Sequence, residues 1–271
     1  MSLVNWRRRS RKSDVSEVSD EWFASHVDAA QQVVAFLADA GLSLTDKRVG
    51  DVGTGDGIIA LALALSARPE QYVGWDVNPV DSSGLRGRAR AEGYCQELPA
   101  NLQFDVCRPT TLPAPDESFD ALITWSAFEH IADIGAVASD MSRVLRPDGF
   151  VFAQVWPLYF SERGSHLWQW NPEGFHHLHQ SMDEMRAQID AGPGDEEWKQ
   201  YMWSEYRSLN QATLDDVQHA FLQAGLIVRR CELYSHLVNI PEAVAVNQKL
   251  SSLMIAGFKM ILSRQVEPNT R

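Results

Sequence analysis

Residues 48–57 read RVGDVGTGDG, and no other stretch constrains the fold as much. Val49 and Val52 are β-branched and apolar, which fits the end of a short buried strand. Gly53, Gly55 and Gly57 then alternate, and the run 58–67 (IIALALALSA) continues without a break as a helix. Strand, glycine turn and helix start make a main-chain cradle. Glycine lets a ligand approach the backbone closely, and the helix start offers unpaired N–H groups and the positive end of a dipole. The dinucleotide pattern G-x-G-x-x-G needs glycine where Ile58 stands, and the P-loop ending Gly-Lys-Ser/Thr is absent.

Asp51 and Asp56 flank the turn and would repel a pyrophosphate. They suit a ligand with a cationic end. S-adenosylmethionine (SAM), with its ammonium and sulfonium, is one. The wider chemistry of the chain agrees. A net charge of −12 over 271 residues argues against general nucleic-acid binding. The one basic cluster, Arg7 to Lys12, has no apolar segment after it, so it reads as part of a disordered solvated tail over residues 1–18 and not as an export signal. No apolar run is long enough to span a membrane. Cys95, Cys107 and Cys231 are scattered and form neither a zinc pattern nor a disulfide framework, so a reduced cytoplasmic protein is expected.

Residues 19–271 read as one domain. Asp20 to Ala40 has helical spacing and a stop at Gly41. Strands are expected at 48–52, 71–77, 102–107, 119–124 and 150–155, with helices at 58–67, 81–93 and 135–145 between them and a turn at Arg146-Pro147-Asp148-Gly149. After residue 210 come a helix at 213–224 opened by Thr213 and Asp216, a strand at 226–233, a helix at 242–252 and a last strand at 254–263. Alternating short strands and helices imply a doubly wound parallel α/β sheet, which binds ligands at the carboxyl ends of its strands. Asp51, Asp76, Asp105 and Trp125 each stand at the end of a different strand.

The motifs DVGTGDG (51–57), GWDV (74–77), FDVC (104–107), FDALITWSAFEHI (119–131) and LRPDGFVFAQV (145–155) resemble the class I SAM-dependent methyltransferases, especially their type 11 group. The resemblance implies a Rossmann-like seven-stranded sheet with an antiparallel last strand and an insertion between strand 5 and the next helix. It implies SAM as cofactor, with Gly53, Thr54 and Gly55 facing its methionine half. Asp76, beside Val77, would accept the ribose hydroxyls. Asp105 and the N–H of Val106 would read the adenine, and Trp125 and Ser126 would line the cofactor.

The insertion, residues 156–210, is the natural acceptor lid. Methyl transfer to an aliphatic hydroxyl gains from a general base, and His130 and Glu129, just past strand 4, are the first candidates. His176 is a third, from the lid. Tyr159, Trp168 and Trp170 offer ring faces, and His166 and His177 polar contacts, for an acceptor. The same rings fit equally a core of the lid itself. His176, His177 and His179 lack a full ligand set, so no histidine metal site is expected, while magnesium bound through oxygen stays open.

The GSHLW and HHL segments resemble bacterial sugar and polysaccharide O-methyltransferases, which implies a sugar or oligosaccharide acceptor, a methylated mannose oligosaccharide among them. The alternatives are O- or N-methylation of a small aromatic or lipid-like metabolite, an NAD-dependent oxidoreductase, and a catalytically silent SAM-binding protein. The helix at 242–252 leaves a homodimer open.

Overall fold

The computed structural model describes residues 15–265, with side chains from Glu21 onward. The expected disordered tail lies, over residues 1–14, outside the described residues. The described residues form a seven-stranded sheet whose strands are β1 (Arg48–Val52), β2 (Gln71–Asp76), β3 (Leu102–Val106), β4 (Phe119–Trp125), β5 (Leu145–Val155), β6 (Leu226–Tyr234) and β7 (Gly257–Arg264). Their spatial order is β3-β2-β1-β4-β5-β7-β6. The first five strands are parallel, and β7 runs antiparallel between β5 and β6. The expected fold class is met, with the strand order reversing direction at β1 and β4. That reversal opens a crevice at the carboxyl ends of the two strands.

Helices cover both faces. On one side lie α1 (Val15–Asp39), α2 (Ile58–Ser66) and α3 (Ser82–Ala91), on the other α4 (Ile134–Val144) and α7 (Leu214–Gln223). Period-two alternation sorts the strand residues. In β4, Leu122 packs with Met141 and Phe221, while its neighbour Ile123 packs with Val33 and Leu63. In β5, Val151 and Phe152 divide the same way. Helix α2 is buried from Ile58 to Ala64, which explains its unrelieved apolar sequence. Its burial pins the glycine turn from the far side.

Several boundaries differ from the sequence reading. Helix α1 begins at Val15, five residues before the expected start, and ends as expected, with Gly41 at φ 72°. The turn signature 146–149 lies inside β5, where the register with β4 jumps from Phe119↔Leu145 to Ala121↔Phe150. The turn is therefore absorbed as a bulge between paired residues. The helix expected over 242–252 is two short pieces, α8 (Glu242–Ala245) and α9 (Leu250–Met254), and the last strand starts three residues later than expected. The Thr213–Asp216 capping box forms in full.

The insertion, expected to be a lid, contains α5 (Met182–Ala191) and α6 (Glu196–Ser208), separated at Gly192-Pro193-Gly194 as the sequence indicates. It has its own core of Leu167, Met185, Ile189, Tyr206 and Leu209, with Trp170 and Trp203 packed against it. Among the described residues no helix is long and apolar enough to cross a membrane.

Candidate functional site

The glycine turn is shaped by its neighbours. Gly53 sits at φ 75°, and a Cβ there would lie 2.4 Å from the Cβ of Ala127, so only glycine fits. Its N–H and that of Thr54 both donate to the Trp75 carbonyl, at 2.8 and 3.1 Å. These two donors staple the turn to β2. Gly55 is different. Its N–H donates to Asp76 Oδ2 at 3.0 Å, and a Cβ at Gly55 would meet open space.

Asp51 is also placed otherwise than expected. It is 3% exposed, and one oxygen accepts from both Thr54 Oγ1 (3.0 Å) and Tyr72 OH (3.1 Å). Burial, partly opposed by those two hydroxyls, pushes its pKa up to about 7. Asp51 therefore braces the turn from inside the sheet instead of meeting a ligand. Asp56 lies outside and accepts from Trp22 Nε1 (2.9 Å) and Arg88 Nη1 (3.3 Å), which offsets its charge.

The next two strand ends keep their expected positions. Asp76 accepts one main-chain N–H on each oxygen, from Gly55 and from Asn78 (2.9 Å). A carboxylate oxygen carries two lone pairs, so each retains one for a hydroxyl donor. Val77 is exposed just beyond it. Asp105 lies on β3, the edge strand, and accepts from Gln103 Nε2 at 2.9 Å. The Cys107 N–H donates to the Asp76 carbonyl, so strand alternation aims the Val106 N–H away from β2, at the open edge. Trp125 stacks on Phe152, with ring centroids 6.3 Å apart and planes 12° apart. Ser126, at φ 45°, is tied to β5: its N–H donates to the Gln154 carbonyl (2.9 Å) and its hydroxyl to Gln154 Oε1 (2.9 Å). It positions the strand end and has no donor left for a cofactor.

A second group of side chains meets where β4 gives way to a 3-10 turn, Phe128–His130. Glu129 is 4% exposed, and neither carboxylate oxygen has a hydrogen-bond partner in another residue. Burial pushes its pKa up to about 8. His130 Nδ1 lies 2.6 Å from Ser208 Oγ, and burial lowers its pKa. His166 comes from the lid at φ 62°, its ring 5.4 Å from that of His130. Burial, with the neighbouring His130, pushes its pKa down to about 3. One ligand-type atom from each of Glu129, His130 and His166 lies within 4.8 Å of the others. The trio is distinct from the 176–179 histidine run.

The remaining expected residues divide. His177 is buried with Nε2 2.5 Å from the Tyr159 carbonyl and its ring edge-on to Tyr159, near His166. Trp168 is part-exposed beside His166 and Trp156. Trp170 is not an acceptor wall: its Nε1 donates to the Pro193 carbonyl, and the ring packs in the lid core. His176 is not brought to the cluster either. Its ring contacts are Gln180 and His179.

Four residues escaped the sequence reading as site candidates. Glu205 Oε2 is 3.7 Å from His130 Nε2, and burial and the charge of Asp76 raise its pKa. Tyr201 is raised by burial and by Glu205 and Asp56. Asn210 donates through Nδ2 to the carbonyls of Phe128 (2.6 Å) and Ile131 (2.8 Å), fastening the lid's end to the 3-10 turn. Tyr201, Glu205 and Ser208 recur at i, i+4 and i+7, one face of α6, and that spacing is the signal that would have found them. Helix α6 thus reaches the 3-10 turn after β4 through Glu205 and Ser208.

The comparisons agree with this geometry. A family model described as a methyltransferase domain matches residues 50–153. The chain is 31% identical over 150 residues to the demethylmenaquinone methyltransferase of Deinococcus radiodurans, covering 51% of this chain and 60% of that protein. It is 33% identical over 114 residues to the fatty-acid O-methyltransferase of Mycolicibacterium smegmatis, covering 42% and 39%. The chain thus spans 60% or less of these curated relatives. In fold it matches the geranyl diphosphate C-methyltransferase of Streptomyces coelicolor, with a TM-score of 0.54 at 14% identity over 94% of this chain and 86% of that one. The matched segment holds β1, β2, β3 and β4 with the glycine turn, Asp76 and Asp105, so the likeness to methyltransferase domains falls on the strand ends that form the candidate site.

Proposed function

We propose that the protein transfers a methyl group from SAM to a hydroxyl of a sugar or oligosaccharide, a methylated mannose oligosaccharide among the candidates. The observation that carries this reading is the desolvated cluster of Glu129, His130 and His166 under the lid, beside the strand ends that would hold the cofactor. SAM fits those strand ends: Asp76 keeps free lone pairs for ribose hydroxyls, Asp105 and the Val106 N–H face the open edge where an adenine would lie, and Gly55 leaves room above the turn. When bound, SAM supplies an electrophilic methyl on its sulfonium.

The chain's own residues do the rest. Helix α6 meets the turn after β4 through Ser208 and Glu205, where it can help to hold acceptor and cofactor in line. The hydroxyl of Ser208 donates to the Glu205 carbonyl (2.7 Å), so His130 Nδ1 is the donor in its bond to Ser208. That fixes the tautomer and leaves His130 Nε2 with a free lone pair, ready to take the hydroxyl proton. Burial keeps the ring neutral, as a base must be. Trp156 and Trp168, 5.8 Å apart, offer ring faces to the apolar side of a pyranose. In this reading residues 156–210 are the acceptor lid of a single domain over 19–271, and the three free cysteines fit a reducing cytoplasm.

A small aromatic or lipid-like acceptor is the second reading. The named activities of the quinone and fatty-acid relatives favour it. The test starts with calorimetric titration of SAM, S-adenosylhomocysteine and NAD. Wild type should bind the two sulfur nucleosides and not NAD. Asp76→Ala should lose at least about 100-fold in affinity, since two hydrogen bonds to a charged group are removed. Methyl transfer from labelled SAM to mannosides, fatty acids and a demethylated quinone then separates the two acceptor classes. Transfer only to the lipids would overturn the sugar reading, and no binding of either sulfur nucleoside to folded protein would overturn both.

A further inference from the structure

We infer that Glu129, His130 and His166 form a binding site for one divalent transition-metal ion of the zinc, iron or manganese type. The argument begins with lone pairs. The Pro157 carbonyl lies near the His166 ring and favours a proton on the ring nitrogen that faces it. The buried atom without a partner is Nε2, so Nδ1 is the donor and Nε2 presents a bare lone pair. His130 reaches the same state through Ser208, which holds Nδ1 and frees Nε2. Glu129 adds a buried carboxylate with neither oxygen bonded to another residue.

Three groups that can each offer an electron pair therefore converge within 4.8 Å. Left uncompensated, such a cluster is costly, and a cation between the donors offsets that cost. Two metal–ligand bonds of about 2.1 Å span at most about 4.2 Å, so small rotations close the set on an ion. Two imidazoles and one carboxylate select a borderline transition ion over magnesium, which prefers oxygen. The outer contacts suit the purpose as well: the Ser208 hydroxyl and the Pro157 carbonyl each hold the far nitrogen of a ligand imidazole, which fixes its orientation. Glu205 Oε2 lies 3.7 Å from His130 Nε2, outside the trio itself. An acceptor hydroxyl ligated by the ion would be made more acidic, a role that rests on the methyl-transfer reading and takes the place of His130 as base, whose Nε2 lone pair is then on the ion. The binding of the ion does not rest on that reading.

The full chain, stripped with a chelator, is titrated with Zn2+, Mn2+ and Mg2+ in the calorimeter, and S-adenosylhomocysteine is titrated separately. One Zn2+ per chain is expected, with Mg2+ far weaker. Glu129→Gln and His166→Gln should each weaken Zn2+ at least about 100-fold, which is the effect of removing a ligand, while His179→Gln leaves it unchanged. Unaltered circular dichroism shows that the variants fold. Independently, X-ray absorption of the zinc-loaded wild type should show two imidazoles in the coordination sphere. Failure of stripped wild type to bind Zn2+ stoichiometrically would overturn the site, as would a zinc shell without imidazole. Binding of S-adenosylhomocysteine reads the cofactor site alone, so the two readings fail separately.

Discussion

Asp51→Asn should change how the stability of this protein depends on pH. Wild-type Asp51 is buried, and its pKa is raised from 3.8 to about 7. A raised carboxyl pKa means that the folded state holds a proton the unfolded chain releases. The stability linked to that proton is complete below pH 3.8 and is lost as pH rises towards 7. At about 1.36 kcal/mol per pKa unit, the full loss is about 4 kcal/mol, of which about 2.5 falls between pH 5 and pH 8. Asparagine does not titrate. Thr54 and Tyr72 donate to the same Asp51 oxygen, so an amide oxygen in that place can take both bonds. Urea unfolding of the two proteins at pH 5 and pH 8, without ligand, measures the difference. The mutant should gain about 2.5 kcal/mol on wild type over that interval, or about 1 M in urea midpoint for a slope near 2 kcal/mol/M. A mutant-to-wild-type gap that stays constant from pH 5 to pH 8 would refute the argument, because it would mean that Asp51 is already ionised inside the fold.

Other perturbations follow from the same contacts. Gly53→Ala places a Cβ 2.4 Å from Ala127 Cβ at a positive φ, and should cost about 1–3 kcal/mol of stability and weaken S-adenosylhomocysteine in calorimetry. Arg143 donates to Asp140 (2.7 Å), Asp116 (2.8 Å) and the carbonyls of Ala114 (2.7 Å) and Leu112 (3.1 Å). Arg143→Ala should cost about 2 kcal/mol and speed amide exchange in residues 111–118, read by mass spectrometry.

The sheet was legible because its signals are local. Apolar strands of five or six residues, a glycine turn after β1, and an aspartate at each of the next two strand ends are fixed by short-range periodicity and by backbone chemistry. The capping box at Thr213 and the break at Gly192-Pro193-Gly194 were readable for the same reason. The fate of each aspartate was not. Asp51 and Asp76 end adjacent parallel strands and look alike in sequence, yet one is sealed under Thr54 and Tyr72 and the other half-open beside Gly55.

The acceptor side was less legible still. Trp170 and Trp168 are two residues apart, but one fills the lid core and the other stands at its surface. His176 and His177 are adjacent, and only the second turns towards His166. The cluster of Glu129, His130 and His166, with Glu205 beside it, joins the 3-10 turn after β4 to two separate parts of the lid. By itself the sequence determined the α/β sheet, the glycine turn and the strand-end carboxylate that suits a nucleoside, since each depends on residues a few positions apart. Only the tertiary structure decided which polar groups are desolvated and face one another, because burial and long-range proximity set lone-pair availability and pKa, and neither is a property of a short stretch of chain.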